Sequence, residues 1–203
     1  MKIQGANEIK LSSAKKKKDF IIYIDLDGVI SNWLQAACDI NEIDIKEPKL
    51  YKELSDGAFL DKIDWLNGES VWNKIDEEGT KFWSELKILP WGKKLVTEME
   101  KLGTVYFLTS PGECVTAPTG KFEWIKKHFG NDYVLRTIIC KDKWLCASPN
   151  SILVDDSEHK VDTFRENGGH SFLWPNCLKM LDNIVNSDET IDELKSLVQK
   201  YKK

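Results

Sequence analysis

Two textures alternate along this chain. Short unbroken apolar runs end in acids, hydroxyls or glycine, and longer stretches carry apolar residues at helical spacing. The first run is Phe20-Ile21-Ile22-Tyr23-Ile24. A segment apolar at every position fits a strand buried on both faces, as in a parallel sheet. Val105-Tyr106-Phe107-Leu108, Thr137–Cys140, Ile152–Val154 and His170–Trp174 predict four further strands.

Helices are predicted between them. Residues 31–41 have Ser31 or Asn32 at the cap and Trp33, Leu34, Ala37 and Ile40 for an apolar face. Residues 92–101 carry Leu95, Val96 and Met99 and close at Gly103. Residues 120–129 place Phe122, Ile125 and Phe129 on one side and stop at Gly130. Further helices are expected at 158–166 and 188–202, the last capped by Ser187.

Alternation of strands and helices predicts an α/β fold with a doubly wound, mainly parallel, Rossmann-like sheet. Residues 1–18 are polar and lysine-rich, and 42–88 set alternating charges among widely spaced aromatics without a strand run. The expected division is therefore an N-terminal segment at 1–18, a core built from 19–41 and 89–203, and a small, mostly helical insertion at 42–88.

Composition adds exclusions. The 203 residues, 41% hydrophobic and 31% charged, suffice for one substantial core. A net charge of −4 argues against a stable nucleic-acid partner, and the one basic run, Lys15–Lys18, reads as a solvated lead-in. Five cysteines without a CxxC pair fit a reducing cytoplasm better than a disulfide or zinc scaffold. No apolar run is long enough for a membrane span, so no membrane partner is expected.

Candidate chemistry collects at the predicted strand ends. Asp25-Leu26-Asp27-Gly28 follows the first strand, Thr109-Ser110 the second, Lys143 lies just beyond the third, and Asp155-Asp156 ends the fourth. Each has a bland reading taken alone: an Asp pair can cap a turn, a Thr can cap a helix, and Lys143 is one lysine among many. Together they differ, because a parallel sheet brings its strand ends to one rim. Adjacent carboxylates repel unless a cation holds them, and an all-carboxylate pocket suits Mg2+ rather than zinc.

This ordered set resembles the haloacid dehalogenase (HAD) superfamily of phosphohydrolases. The resemblance implies Asp25 as nucleophile, Asp27 as acid and base, Thr109, Ser110 and Lys143 as phosphate contacts, and a magnesium site built on Asp25, Asp27, Asp155 and Asp156. The segments DLDGVISNW, FWSELKILPWGKKLVTEME, FLTSP, KFEWIKKHFG and ILVDDSEHK are similar to the 5′(3′)-deoxyribonucleotidase branch, over roughly residues 20–175. That likeness implies a HAD-like core with a helical cap, a nucleoside monophosphate substrate, and a base stacked on Trp33. Residues 42–80 do not follow the family pattern, and Ser148-Pro149-Asn150 lengthens the step from Lys143 to Asp155.

Trp91, Trp124 and Trp174 read as core; Trp65, Trp72, Phe82 and Trp83 are candidates to enclose a base. The competing readings are a 3′-phosphatase on nucleic-acid ends, another small-molecule phosphatase, and a non-catalytic binder of phospho-ligands. A homodimer is compatible with all of them.

Overall fold

The computed structural model describes residues 20–63, 66 and 68–202. The lysine-rich segment 1–18 and Trp65 lie outside the described residues. In chain order the elements are β1 (Ile21–Ile24), α1 (Trp33–Ile40), α2 (Pro48–Ser55), a 3-10 turn (Leu60–Lys62), α3 (Gly68–Glu78), α4 (Thr80–Ser84) and α5 (Gly92–Glu100). Then come β2 (Thr104–Thr109), α6 (Ala117–Phe129), α7 (Asn131–Val134), β3 (Thr137–Ile139), a 3-10 turn (Lys143–Cys146) and β4 (Ser151–Asp155). The chain ends with α8 (Glu158–Glu166), β5 (His170–Leu173), α9 (Cys177–Leu181) and α10 (Ser187–Tyr201).

The five strands form one sheet in the order β3-β2-β1-β4-β5, and every pairing is parallel. Winding runs outward from β1 to β3, then crosses back so that β4 lies on the other side of β1. That reversal leaves a crevice beyond the C-terminal ends of the central strands. Registers Ile24↔Phe107 and Ile24↔Val154 bring the ends of β2 and β4 level with Asp25.

Period-2 alternation sorts the apolar side chains between the two faces. Ile22, Ile24, Val105, Phe107, Ile152 and Val154 join the large core with α5, α6 and α10. Tyr23, Leu108 and Leu153 point the other way, onto Phe164 of α8. Trp91 and Trp124 are core residues whose indole N–H groups donate to the Val29 and Leu86 carbonyls at 2.7 Å. Trp174 is 1% exposed.

Three local expectations need correcting. Helix α6 starts at Ala117, not at 120, because Pro118 is accommodated in the first turn, where a helical N–H has no partner. Its buried side is Ala117, Gly120, Lys121, Trp124 and Ile125, while Phe122 is only half-buried. Helix α10 is capped by Asn186, whose side chain accepts from the Asp188 and Glu189 N–H groups; Ser187 is its first helical residue. At α1 the cap is Asn32, one of the two residues expected there, accepting from Gln35 N at 3.3 Å. No helix among the described residues is long and apolar enough to cross a membrane.

Candidate active site

Asp25 leaves the end of β1 almost fully buried, at 3% exposure, with its N–H donating to the Val154 carbonyl at 3.0 Å. Lys143, 1% exposed at the start of its 3-10 turn, bridges two carboxylates. Its Nζ lies 2.7 Å from Asp25 Oδ1 and 2.5 Å from Asp155 Oδ2. Asp155 accepts from Ser157 N–H through its other oxygen at 3.0 Å. Burial alone would raise the Asp25 carboxyl pKa, but Lys143, with Lys160 and Lys121 further off, holds it below the ordinary value. At Asp155, burial and the charge of Asp25 win over Lys143, and the pKa is raised.

Asp156 continues the rim and still meets solvent. Protein packed around its carboxylate, then the charges of Asp155 and Asp25, push its pKa up to about 8. One carboxylate oxygen from each of Asp25, Asp155 and Asp156 lies within 4.8 Å of the others. Three hard oxygen donors this close, with the ionised forms of Asp155 and Asp156 disfavoured by burial and by neighbouring carboxylates, fit a divalent cation. The backbone makes room for the cluster at Gly28, whose φ is +79°. A Cβ there would lie 2.0 Å from Asp156 Oδ2.

Asp27 sits in the turn after β1 with a quarter of its side chain exposed. Ser31 Oγ donates to its Oδ1 at 3.0 Å, and Lys121 Nζ donates to its Oδ2 at 2.6 Å. Lys121 also donates to Thr109 Oγ1 at 3.1 Å and to the Ser110 carbonyl at 2.7 Å. Thr109, at the end of β2, is fully buried. Ser110 Oγ is buried without a hydrogen-bond partner among the described residues and belongs to a residue lining the cavity.

The structure therefore brings Asp25, Asp27, Thr109, Ser110, Lys143, Asp155 and Asp156 to one rim. Sequence reasoning did not single out Lys121, which ties three of these residues together. The available signal was its position: 121 falls on the same helical stripe as Gly120, Trp124 and Ile125, where a lysine has no apolar reason to be.

Above the rim opens a cavity of about 280 Å3. Its floor includes Asp25, Asp27, Ser110, Lys121, Asp156 and Lys160. Leu54, Phe59, Leu60, Trp72 and Trp83, all from residues 42–88, also line it. Trp33 also lines it, with its ring 5.7 Å from that of Trp72 and its indole nitrogen buried without a hydrogen-bond partner among the described residues. Trp83, 1% exposed, lies beneath Lys121, whose Nζ is 4.9 Å from the ring centroid. Phe82 packs edge-on against Trp83 and does not line the cavity.

Residues 19–196 match the family described as "5' nucleotidase, deoxy (Pyrimidine), cytosolic type C protein". The mitochondrial 5'(3')-deoxyribonucleotidase of Mus musculus is 31% identical over 90 residues, which are 43% of this chain and 38% of the mouse protein. The match thus spans well under half the length of that relative. Among solved structures, a predicted phosphatase from Clostridium acetobutylicum superposes with a TM-score of 0.55 at 15% identity, covering 90% of this chain and 99% of that one. The putative HAD-hydrolase YfnB from Bacillus subtilis, bound to magnesium, gives 0.52 at 10% identity, covering 88% and 97%. These structural likenesses establish a HAD-like fold, and the chain belongs to the type C 5' nucleotidase family.

Proposed function

As a member of that family, we propose, this chain is a Mg2+-dependent phosphatase that hydrolyses nucleoside monophosphates through an aspartyl-phosphate on Asp25. The observation that carries the reading is the position of Asp25. It belongs to the acidic cluster with Asp155 and Asp156 and shares the lining of an aromatic-walled cavity with Ser110 and Lys121, the proposed phosphate contacts.

Asp25 attacks phosphorus in line, forming an acyl-phosphate and splitting one displacement into two easier ones. Asp27, protonated, gives its proton to the leaving alkoxide; as a carboxylate it then takes one from the water that releases phosphate. Ser31 and Lys121 orient Asp27 for both transfers. Lys121, Ser110 and Thr109 supply the side of the pocket that receives phosphoryl oxygens. Lys143 keeps Asp25 ionised and ties it to Asp155. Mg2+, held by Asp25, Asp156, the Asp27 carbonyl and the neighbouring Asp155, would supply positive charge against the repulsion between carboxylate and phosphate.

A small substrate is favoured by residues 42–88 acting as a cap over the core of 19–41 and 89–203, with Leu54, Phe59, Leu60, Trp72 and Trp83 in the cavity lining. Trp33, with Trp72 close by, supports a nucleobase as the part of the substrate held away from the phosphate. The five free thiols accord with a cytoplasmic enzyme. The test is phosphate release from a panel of nucleoside 5'- and 3'-monophosphates and sugar phosphates with Mg2+. Preference for nucleoside monophosphates supports the reading, and indifference between the two classes removes the nucleotidase part of it.

A further inference from the structure

We propose that Lys160 is a resident cation of the acidic pocket, competing electrostatically with Mg2+ and so setting how tightly the metal binds. The inference rests on the reading of Asp25, Asp155 and Asp156 as the cation site. Lys160 lies in the first turn of α8, four residues after Asp156, and its side chain lines the cavity half-buried.

Three lysines are drawn to this rim, and two are closed. Lys121 is held at 2.6 Å by Asp27, and Lys143 at 2.7 and 2.5 Å by Asp25 and Asp155. Lys160 makes no ion pair within 4.0 Å among the described residues. Its charge nonetheless acts on Asp25, Asp155, Asp156 and Asp27. Burial alone would lower its basicity, but those four carboxylates overrule burial and hold it protonated.

Four carboxylates thus face three ammonium groups, which leaves the pocket close to neutral. A dication entering it meets the attraction of the acids reduced by an ammonium that has no carboxylate of its own. An entering phosphate meets the opposite, an ammonium not yet committed to a partner. One group therefore has effects of opposite sign on the two ligands. A general packing role would shift both in the same direction.

Calorimetric titration of Mg2+, and separately of inorganic phosphate, into wild type, Lys160→Met, Lys160→Gln and Lys160→Arg reads both signs. Removing the charge should tighten Mg2+ about five- to tenfold and weaken phosphate by a similar factor, as expected for like and unlike charges at a partly screened rim. Lys160→Arg should stay close to wild type. Thermal unfolding in EDTA identifies any variant that does not fold, and the Gln and Arg proteins decide if the Met protein fails. Unchanged or weaker Mg2+ binding in the neutral variants, or parallel weakening of both ligands, overturns the inference. Asp156→Asn separates it from the underlying reading. If wild type binds no Mg2+, or Asp156→Asn binds it as wild type does, the cation site itself is wrong. If wild type binds, Asp156→Asn does not, and the Lys160 variants match wild type, only the role of Lys160 falls.

Discussion

Lys121 Nζ lies 2.6 Å from Asp27 Oδ2 although 94 residues separate the two in sequence. The contact joins the helix after β2 to the turn after β1. It holds the proposed acid and base by a group that also reaches Thr109 and the Ser110 carbonyl. Such a lysine positions the proton donor and presents charge to the phosphoryl group at once.

Lys121→Met should therefore lower kcat/KM for nucleotides and for p-nitrophenyl phosphate alike. A charge-assisted hydrogen bond is worth about 1.5–3 kcal/mol, which corresponds to a loss of roughly 10- to 150-fold. Steady-state kinetics on both substrates is the check. A change below about twofold on both would make Lys121 a structural tie only.

Gly28 is a backbone requirement of the site. With φ at +79° and a Cβ placed 2.0 Å from Asp156 Oδ2, Gly28→Ala must displace that carboxylate or rebuild the turn. A left-handed conformation costs a non-glycine residue about 1–2 kcal/mol before any collision is counted. The Mg2+-induced rise in melting temperature should shrink markedly in the variant. An undiminished rise would mean Asp156 does not serve the metal.

How far the site was legible in the sequence follows from what each signal measures. Apolar runs that stop at an acid or hydroxyl place Asp25, Thr109 and Asp155 at strand ends, because a strand's burial and its termination are both local. Parallel pairing then puts those ends side by side without further information. Lys121 is hidden because the apolar spacing of Phe122, Ile125 and Phe129 points to one side of α6, whereas the side that is buried runs through Gly120, Lys121, Trp124 and Ile125. The cavity-lining set from residues 42–88 is legible only in part: Trp72 and Trp83 are among the aromatics expected there, whereas Leu54, Phe59 and Leu60 reach the cavity through tertiary packing that no spacing in the chain reveals.

Metal removal gives a third expectation. EDTA should abolish phosphate release, Mg2+ should restore it, and Ca2+ should fail to do so. Calcium takes more ligands at longer distances and would hold the carboxylates in a looser arrangement. Full turnover in metal-free protein would contradict the carboxylate-pocket reading.

Trp33 carries the expectation about substrate. Stacking on an aromatic face is worth about 1–3 kcal/mol per base, so Trp33→Ala should cost that much in kcat/KM for nucleoside monophosphates. p-Nitrophenyl phosphate, which lacks a base, should be hydrolysed almost as before. Equal losses on the two substrates would point to a damaged site and not to lost base recognition.

The central claim is that Asp25 carries the phosphoryl group. Acid quenching of a single turnover with Mg2+ and a nucleoside monophosphate, followed by peptide mapping by mass spectrometry, reads this directly. The account predicts a phosphoryl increment on the peptide containing Asp25, absent in Asp25→Asn, whose turnover should fall by about a thousandfold or more. An increment on another residue, or an Asp25→Asn protein that turns over within about tenfold of wild type, would contradict it.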